Sequence, residues 1–156
     1  MLLPEDFIFV TVKRFLICRG WQILGGEPPN GTSDDIIRIV IRPKSMKGRF
    51  HSLGALKVDL ISKRGNTLLL TEVKSDYSGY DKRKLDRITT TRLIDLKNAL
   101  WERCKIREDD IGRIVKSLAF SYGKEYPVDE QYIHFRVRGD GTVLIIKGRQ
   151  ISAIEV

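Results

Sequence analysis

Cysteine and histidine are scarce in this chain. The 156 residues include two of each, and Cys18 and Cys104 form no CxxC pair and no cluster with histidine. Zinc sites and disulfide frameworks need such clusters, so neither is indicated, and we expect both thiols to be buried and unreactive. His51 and His134 have no partner at metal-ligand spacing, and we expect them to be ordinary surface or packing residues.

Long apolar runs are also missing. No wholly apolar run exceeds four residues, whereas a helix that spans a bilayer needs about 20. Glu5 and Asp6 stand where a signal peptide would be basic, and no small-residue cleavage site follows them. We therefore expect a cytoplasmic protein with no membrane partner. The glycines at 25, 26 and 31 do not fit GxGxxG or a P-loop, so no nucleotide cofactor is expected.

Positive charge is what the chain has in excess. Lys and Arg number 28 against 20 Asp and Glu, which gives a formal net charge of +8. Such a balance favours a polyanionic partner, nucleic acid first, although surface lysine and arginine also keep proteins soluble. The length suits a single domain over residues 1–156, since domains average about 150 residues.

Hydrophobic periodicity predicts alternating helices and strands. Helices are expected over 4–19, opened by Pro4 and stopped by Gly20, and over 80–104, where apolar or small side chains recur every three to four positions. Strands are expected at 21–24, 35–42, 55–62, 67–74, 113–121, 132–138 and 142–147. This order of elements predicts an α/β fold with a mixed central sheet flanked by helices.

One predicted hairpin gathers groups that are suited to chemistry. Side chains two positions apart on a strand share a face, so Glu72 and Lys74 point the same way. If residues 63–66 form the turn, Asp59 on the neighbouring strand lies opposite Leu70 and diagonal to Glu72. Two carboxylates and an ammonium group are therefore expected to converge.

These three groups suit the hydrolysis of a phosphodiester. Paired carboxylates bind Mg²⁺, which keeps waters that can attack phosphorus. The metal and the lysine together offset charge on the phosphate, and the lysine can orient or deprotonate the water. The alternative is a solvated strand edge that alternates apolar and charged residues. The apolar neighbours Leu68–Leu70 and Val73 favour a central strand, where a Glu and a Lys need each other or a metal.

The same residues resemble a known family. Asp59, a turn and then Glu72-Val73-Lys74 are similar to the signature of the PD-(D/E)XK nucleases, in which an Asp on one strand precedes an acidic-x-Lys triplet on the next. With Ser75, the segment is similar to archaeal Holliday-junction resolvases. Val58 replaces the proline of the signature. The resolvase-like branches usually carry a Gln in the helix after the Lys, and this chain has none there.

The resemblance implies a restriction-endonuclease-like fold and a Mg²⁺- or Mn²⁺-dependent deoxyribonuclease. Asp59, Glu72 and Lys74 would be the catalytic residues, and Asp59 and Glu72 would hold the metal. Glu5 is the position that corresponds to a further metal-site Glu on the first helix of these families. No zinc finger or helix-turn-helix is recognisable, so structure-selective or partner-directed cleavage of DNA is expected. Cutting both strands of a duplex needs two sites, so we expect a homodimer.

Basic residues flank this site in the sequence. Three of them, Lys82, Arg83 and Arg87, begin the predicted helix after the site. Three more, Lys44, Lys47 and Arg49, lie in the loop before it. We predict that these six bind the DNA backbone, with a solvated surface as the alternative.

Two other functions fit the same sequence. One is a non-catalytic nucleic-acid-binding module on the same scaffold, which would bind with a steep salt dependence and cut nothing. The other is a structural or assembly protein whose positive charge serves only as surface.

Overall fold

Helices and strands alternate along the part of the chain that the computed structural model describes, residues 1–29, 36–43 and 54–156. The α-helices in these ranges are α1 Glu5–Cys18, α2 Gly79–Ile88 and α3 Leu93–Cys104. The strands are β1 Gln22–Gly25, β2 Val40–Ile41, β3 Leu56–Lys57, β4 Leu60–Arg64, β5 Thr67–Val73, β6 Arg113–Ser121, β7 Tyr132–Val137 and β8 Val143–Lys147. None of the helices in these ranges has the length and apolar content needed to cross a bilayer.

Six strands form one mixed sheet in the order β1-β4-β5-β6-β7-β8. Strands β5, β6 and β7 run parallel, and the other neighbours are antiparallel. The parallel β5–β6 pair needs a crossover connection, which α2 and α3 supply. Strands β2 and β3 form a separate two-stranded sheet. The predicted α/β fold, a mixed sheet flanked by helices, is confirmed.

The sheet carries a hydrophobic core on each face, and β5 contributes to both. Its Leu69 and Val73 pack in the core that holds the buried residues of α1. Its Leu68 and Leu70 pack in the core that holds the buried residues of α2 and α3. Because side chains alternate along a strand, Glu72 falls on the same face as Leu68 and Leu70, towards α2.

Helix α1 begins and ends close to the predicted limits. Pro4 is its N-cap residue, and Glu5 and Asp6 occupy the first turn, where negative charge interacts well with the helix dipole. Gly20, with φ +85°, follows the C-cap and donates its amide to the Ile17 carbonyl at 3.0 Å. The expectation that Cys18 is buried was wrong, because this last residue of the helix is exposed.

The prediction of a single long helix over residues 80–104 was wrong. The chain forms α2 and α3, separated by residues 89–92. Thr89 is the C-cap of α2, and its hydroxyl donates to the Leu85 carbonyl at 3.0 Å. The Thr90 hydroxyl donates to the Asp86 carbonyl at 2.7 Å. Consecutive threonines that bond the preceding turn favour a helix end, although the apolar spacing continues through them.

The hairpin between β4 and β5 is tighter than predicted. Arg64 pairs with Thr67, so the turn contains only Gly65 and Asn66. Gly65 has φ +59°, which suits the first central position of a two-residue hairpin turn. Leu60 pairs with Thr71, and the same register extended by one residue sets Asp59 opposite Glu72. The predicted pairing of position 59 with Leu70 was therefore wrong.

The strand predicted at 55–62 is broken where the candidate site begins. It divides into β3 and β4, and Val58 and Asp59 lie between them. The strand predicted at 35–42 forms only β2, which pairs with β3, and its first residue lies outside the described ranges. The break turns one part of this segment towards the small sheet and the other towards β5, and Asp59 lies at the junction.

Candidate active site

The backbone at Val58 and Asp59 is approached closely by Gly26. Gly26 has φ +149°, and a Cβ built there would lie 2.3 Å from the Asp59 carbonyl oxygen. The next residue, Glu27, donates its amide to the Val58 carbonyl at 2.8 Å. Only glycine fits this approach, so Gly26 helps to set where Asp59 lies.

Asp59 and Glu72, called the acidic pair below, are held together by backbone and side-chain groups. The Asp59 amide donates to Glu72 Oε1 at 3.4 Å. The Val73 amide donates to Asp59 Oδ2 at 2.7 Å. Each carboxyl group is therefore bound by the backbone of the opposite segment, which fixes both side chains at the end of the hairpin.

Burial makes the acidic pair costly to ionise. Glu72 is only 2% exposed, and burial, followed by the charge of Asp59, raises the pKa of Glu72 well above its ordinary value. Burial also raises the pKa of Asp59, against the hydrogen bond from the Val73 amide. Positive charge close to the pair would favour the ionised forms.

Helix α2 adds an ammonium group to the acidic pair. Lys84 Nζ lies 2.9 Å from Glu72 Oε1, and the side chains are 18% and 2% exposed. Breaking a buried pair by removal of one partner typically costs about 3–5 kcal/mol, because the other charge is left uncompensated. Lys84, which was not expected at the site from the sequence, is therefore the direct cationic partner of Glu72.

Helix α2 also adds a third carboxylate nearby. Asp81 is 3% exposed, and its Oδ2 has no hydrogen-bond partner among the described residues. After burial, the charge of Asp81 is a further cause of the raised pKa of Asp59. Asp81 and Lys84 follow the same helical spacing as the buried Leu85 and Ile88. Two charged residues on the apolar stripe of a helix are the sequence signal that would have identified them.

Lys74 has a different partner. It follows the last residue of β5, and its Nζ lies 3.8 Å from Glu5 Oε1 at the start of α1. Lys74 is 46% exposed, so this ion pair contributes little to stability. The structure thus brings Asp59 close to Glu72 and Lys74 close to Glu5, without a direct bond between the two pairs in the described chain. The catalytic and metal-binding roles of these four residues remain predictions.

The acidic pair has the donor chemistry of a sparsely ligated Mg²⁺ site. Mg²⁺ is often held by one or two carboxylates and completes its shell with waters and substrate phosphates. Within the described ranges, no group of three or more His, Cys, Asp or Glu side chains is placed to hold a metal. Beside the pair, the buried Oδ2 of Asp81 has no hydrogen-bond partner among the described residues. The residues present therefore fit Mg²⁺ bound through two carboxylates.

The predicted DNA-binding residues fall into three groups. Arg83 and Arg87 are exposed one turn apart on α2. Lys82 Nζ lies 3.5 Å from Asp86 and 3.2 Å from Asp129, so its charge is shared with carboxylates. The third group, Lys44, Lys47 and Arg49, lies outside the described residues.

A second surface with several arginines was not predicted from the sequence. A cleft of about 570 Å³ is lined by Arg38, Arg42 and Arg103 together with Asp95 and Glu102. These residues come from the segment around β2 and from α3, and none belongs to the acidic pair. Separate segments contribute the arginines, so no run of basic residues marks this cleft in the sequence.

Comparisons with known proteins leave the function open. No protein family matches the sequence, and no curated protein gives a significant match. Among solved structures, the chain is similar to an XisH family protein from Nostoc punctiforme. The two share 16% sequence identity at a TM-score of 0.39, over 89% of this chain and 97% of that one. A similarity this low does not indicate a shared function.

Proposed function

We propose that this protein is a metal-dependent endonuclease that hydrolyses DNA phosphodiester bonds. The observation that carries the proposal is the acidic pair, a buried Glu72 beside a half-buried Asp59, with its backbone-held carboxylates. Two carboxylates that are costly to ionise alone are suited to Mg²⁺ or Mn²⁺. When bound, such an ion offsets charge on the phosphate and supplies an activated water.

The residues around the pair have separate tasks in this proposal. The Val73 amide orients Asp59, and the Asp59 amide orients Glu72, so both carboxylates are positioned before substrate binds. Lys74 is exposed enough to reach a phosphate or the attacking water. Glu5, 3.8 Å from Lys74, holds that ammonium group near the end of β5 and is the further metal-site residue that the family resemblance suggests.

DNA is the proposed substrate because positive charge accompanies the site. The chain has a net charge of +8, and α2 exposes Arg83 and Arg87 on the helix that also supplies Lys84. Phosphate contacts of this kind position a nucleic acid without reading its sequence. We therefore propose structure-selective or partner-directed cleavage, by a restriction-endonuclease-like domain that acts as a homodimer on duplex substrates.

A second candidate is a non-catalytic nucleic-acid-binding module on the same scaffold. The observation that favours it is the ion pair between Lys84 and Glu72, in which a side-chain ammonium already satisfies the buried carboxylate. A site that is permanently neutralised in this way would bind DNA through its basic surface and leave the phosphodiester intact.

One experiment separates the two candidates. Purified protein is incubated with labelled single-stranded, duplex, flapped and branched DNA, in Mg²⁺, Mn²⁺ or EDTA, and binding is measured in Ca²⁺ across a range of salt concentrations. Metal-dependent cleavage of any substrate supports the endonuclease. Salt-sensitive binding with every substrate intact supports the binding module. Neither binding nor cleavage at about 50 mM salt would contradict both.

A further inference from the structure

Lys84 contacts the acidic pair as a bound cation would. Its Nζ lies 2.9 Å from Glu72 Oε1, an oxygen that also accepts the Asp59 amide. Its charge lowers the cost of ionising both carboxylates, against the larger effect of burial. Lys84 comes from α2, whereas the acidic pair comes from the β4–β5 hairpin, so the contact joins two separate elements.

One ammonium group cannot neutralise all the carboxyl groups at this site. If all three were ionised, Asp59, Glu72 and Asp81 would bring three negative charges against the single ammonium of Lys84. Glu72 and Asp81 are 2% and 3% exposed, and Asp81 Oδ2 has no hydrogen-bond partner among the described residues. Buried charge of one sign is unfavourable unless it is paired. The arrangement therefore favours a cation of higher charge.

We propose that Lys84 is an internal counter-ion of the acidic pair and competes with a divalent cation for it. This inference rests on the proposed function, because it takes the pair as the metal site. An ammonium group and a divalent cation that share Glu72 Oε1 would repel each other at short distance. Lys84 therefore releases Glu72 when the cation binds. Its flexible side chain is 18% exposed and can turn towards solvent.

Removal of Lys84 should change the affinity for the metal in a direction that reveals its role. If the lysine only supports the site, its removal would weaken metal binding, because the carboxylates would lose their positions. Removal of a competing lysine would instead strengthen metal binding, because the cation would no longer have to displace an ammonium group from Glu72. Affinity for the metal therefore distinguishes a counter-ion from a structural residue.

The test is calorimetric titration of Mn²⁺ into the wild-type protein and two variants. Lys84→Met removes the ammonium and keeps a side chain of similar length. Lys116→Met is the matched control, because Lys116 Nζ also lies 2.9 Å from a carboxylate oxygen, Asp86 Oδ1, and is 12% exposed. Lys84→Met is expected to bind Mn²⁺ at least about tenfold more tightly than wild type, and Lys116→Met with wild-type affinity. Equal or weaker binding by Lys84→Met overturns the proposal.

Further variants keep the outcome clear. If Lys84→Met does not fold, Lys84→Gln removes the charge but keeps a donor for Glu72, and the same tighter binding is expected. The Mn²⁺-dependent rise in melting temperature gives a second measurement, which should be larger for the uncharged variant than for wild type. No larger rise, with both proteins folded, counts against the counter-ion role.

Glu72→Gln separates this inference from the proposed function. If Glu72→Gln abolishes Mn²⁺ binding while Lys84→Met leaves the affinity unchanged, the pair is the metal site and only the counter-ion role is overturned. If the uncharged Lys84 variant binds Mn²⁺ more tightly than wild type but no protein cuts DNA, the counter-ion role stands and the endonuclease proposal fails. If neither wild type nor any Lys84 variant binds Mn²⁺, both are overturned.

Discussion

Asp59 precedes Leu60 and Glu72 follows Thr71, and these two neighbours form the last pair of the β4–β5 hairpin. The Asp59 amide donates to Glu72 Oε1, and the Val73 amide next to Glu72 donates back to Asp59 Oδ2. A buried carboxyl group, that of Glu72, and a half-buried one, that of Asp59, are thus brought together by a tight two-residue turn and an interrupted strand. The hairpin brings the two residues together, and the close approach of Gly26 helps to set the backbone position of Asp59.

Substitution of Gly26 should disturb the acidic pair. A Cβ at position 26 would lie 2.3 Å from the Asp59 carbonyl, so Gly26→Ala is expected to move Asp59 and to weaken Mn²⁺ binding at least about tenfold. Gly65→Ala is the control, since Gly65 also has a positive φ, +59°, but has no atom within 4 Å of the added carbon. Both variants should lose about 1–3 kcal/mol from backbone strain, measured by urea unfolding. Wild-type Mn²⁺ affinity in Gly26→Ala would contradict this role.

The stability of the metal-free protein should depend on pH through Glu72. Burial raises the pKa of Glu72 well above its ordinary 4.5, so the folded protein keeps a proton that the unfolded chain releases. The resulting stabilisation is fully present below about pH 4.5 and is lost as pH rises through the folded-state pKa. Gln imitates the protonated side chain. The margin between the free energies of unfolding of Glu72→Gln and wild type should therefore shift in favour of Glu72→Gln as pH rises, on top of a constant cost for the lost contact with Lys84.

Urea unfolding in EDTA at a series of pH values measures this margin. Comparison of wild type with Glu72→Gln largely cancels the titration of groups outside the acidic pair. A difference between the two proteins that stays constant above pH 4.5 would show that Glu72 is ionised in the folded state at no cost.

Lys74 should matter for cleavage and not for stability. Its ion pair with Glu5 is long, at 3.8 Å, and half exposed, so Lys74→Met should change the free energy of unfolding by less than about 0.5 kcal/mol. Loss of a group that activates water or binds the phosphate should lower the single-turnover cleavage rate by about 10²–10⁴-fold. Lys97→Met, which removes an ion pair with Glu108, should cut DNA at the wild-type rate. Equal cleavage rates in wild type, Lys74→Met and Lys97→Met would show that Lys74 has no role in cleavage.

Most residues of the site can be predicted from the sequence, but the register between β4 and β5 cannot. The apolar neighbours Leu68–Leu70 and Val73 correctly indicate that Glu72 sits in a central strand, and the hairpin signal brings Asp59 close to it. The register was wrong by two positions because Lys63 and Arg64 were assigned to the turn, whereas both lie in β4. Turn length depends on which residue takes the positive φ, and here it is Gly65.

The contribution of α2 was harder to predict from the sequence. Asp81 and Lys84 lie within a run of charged residues that suggests a solvated surface. Their positions on the same stripe as Leu85 and Ile88 show that the helix buries them, but only tertiary packing determines that Lys84 reaches Glu72. The partner of Lys74 was missed for a related reason, because strand alternation no longer fixes a side chain beyond the last residue of β5.

The exposed arginines of α2 should contribute to DNA binding without sequence preference. Replacement of Arg83 and Arg87 by Ala is expected to lower the slope of log affinity against log salt by about one for each phosphate that an arginine no longer neutralises. Arg113→Ala is a control, because Arg113 is exposed at the start of β6, the end of the sheet away from the acidic pair. Fluorescence anisotropy with labelled DNA between about 50 and 200 mM salt gives the slopes. An unchanged slope in the double variant would show that the DNA backbone contacts a surface other than this face of α2.

The most direct test of the endonuclease proposal is the rate of Mg²⁺-dependent DNA cleavage by wild type and Glu72→Gln, measured on the same set of single-stranded, duplex, flapped and branched substrates. Wild type is expected to cut at least one substrate in Mg²⁺ and none in EDTA. Glu72→Gln should fold, bind DNA and leave every substrate intact. Cleavage that persists at the wild-type rate in Glu72→Gln, or a wild-type protein that cuts none of these substrates with Mg²⁺ or Mn²⁺, would contradict it.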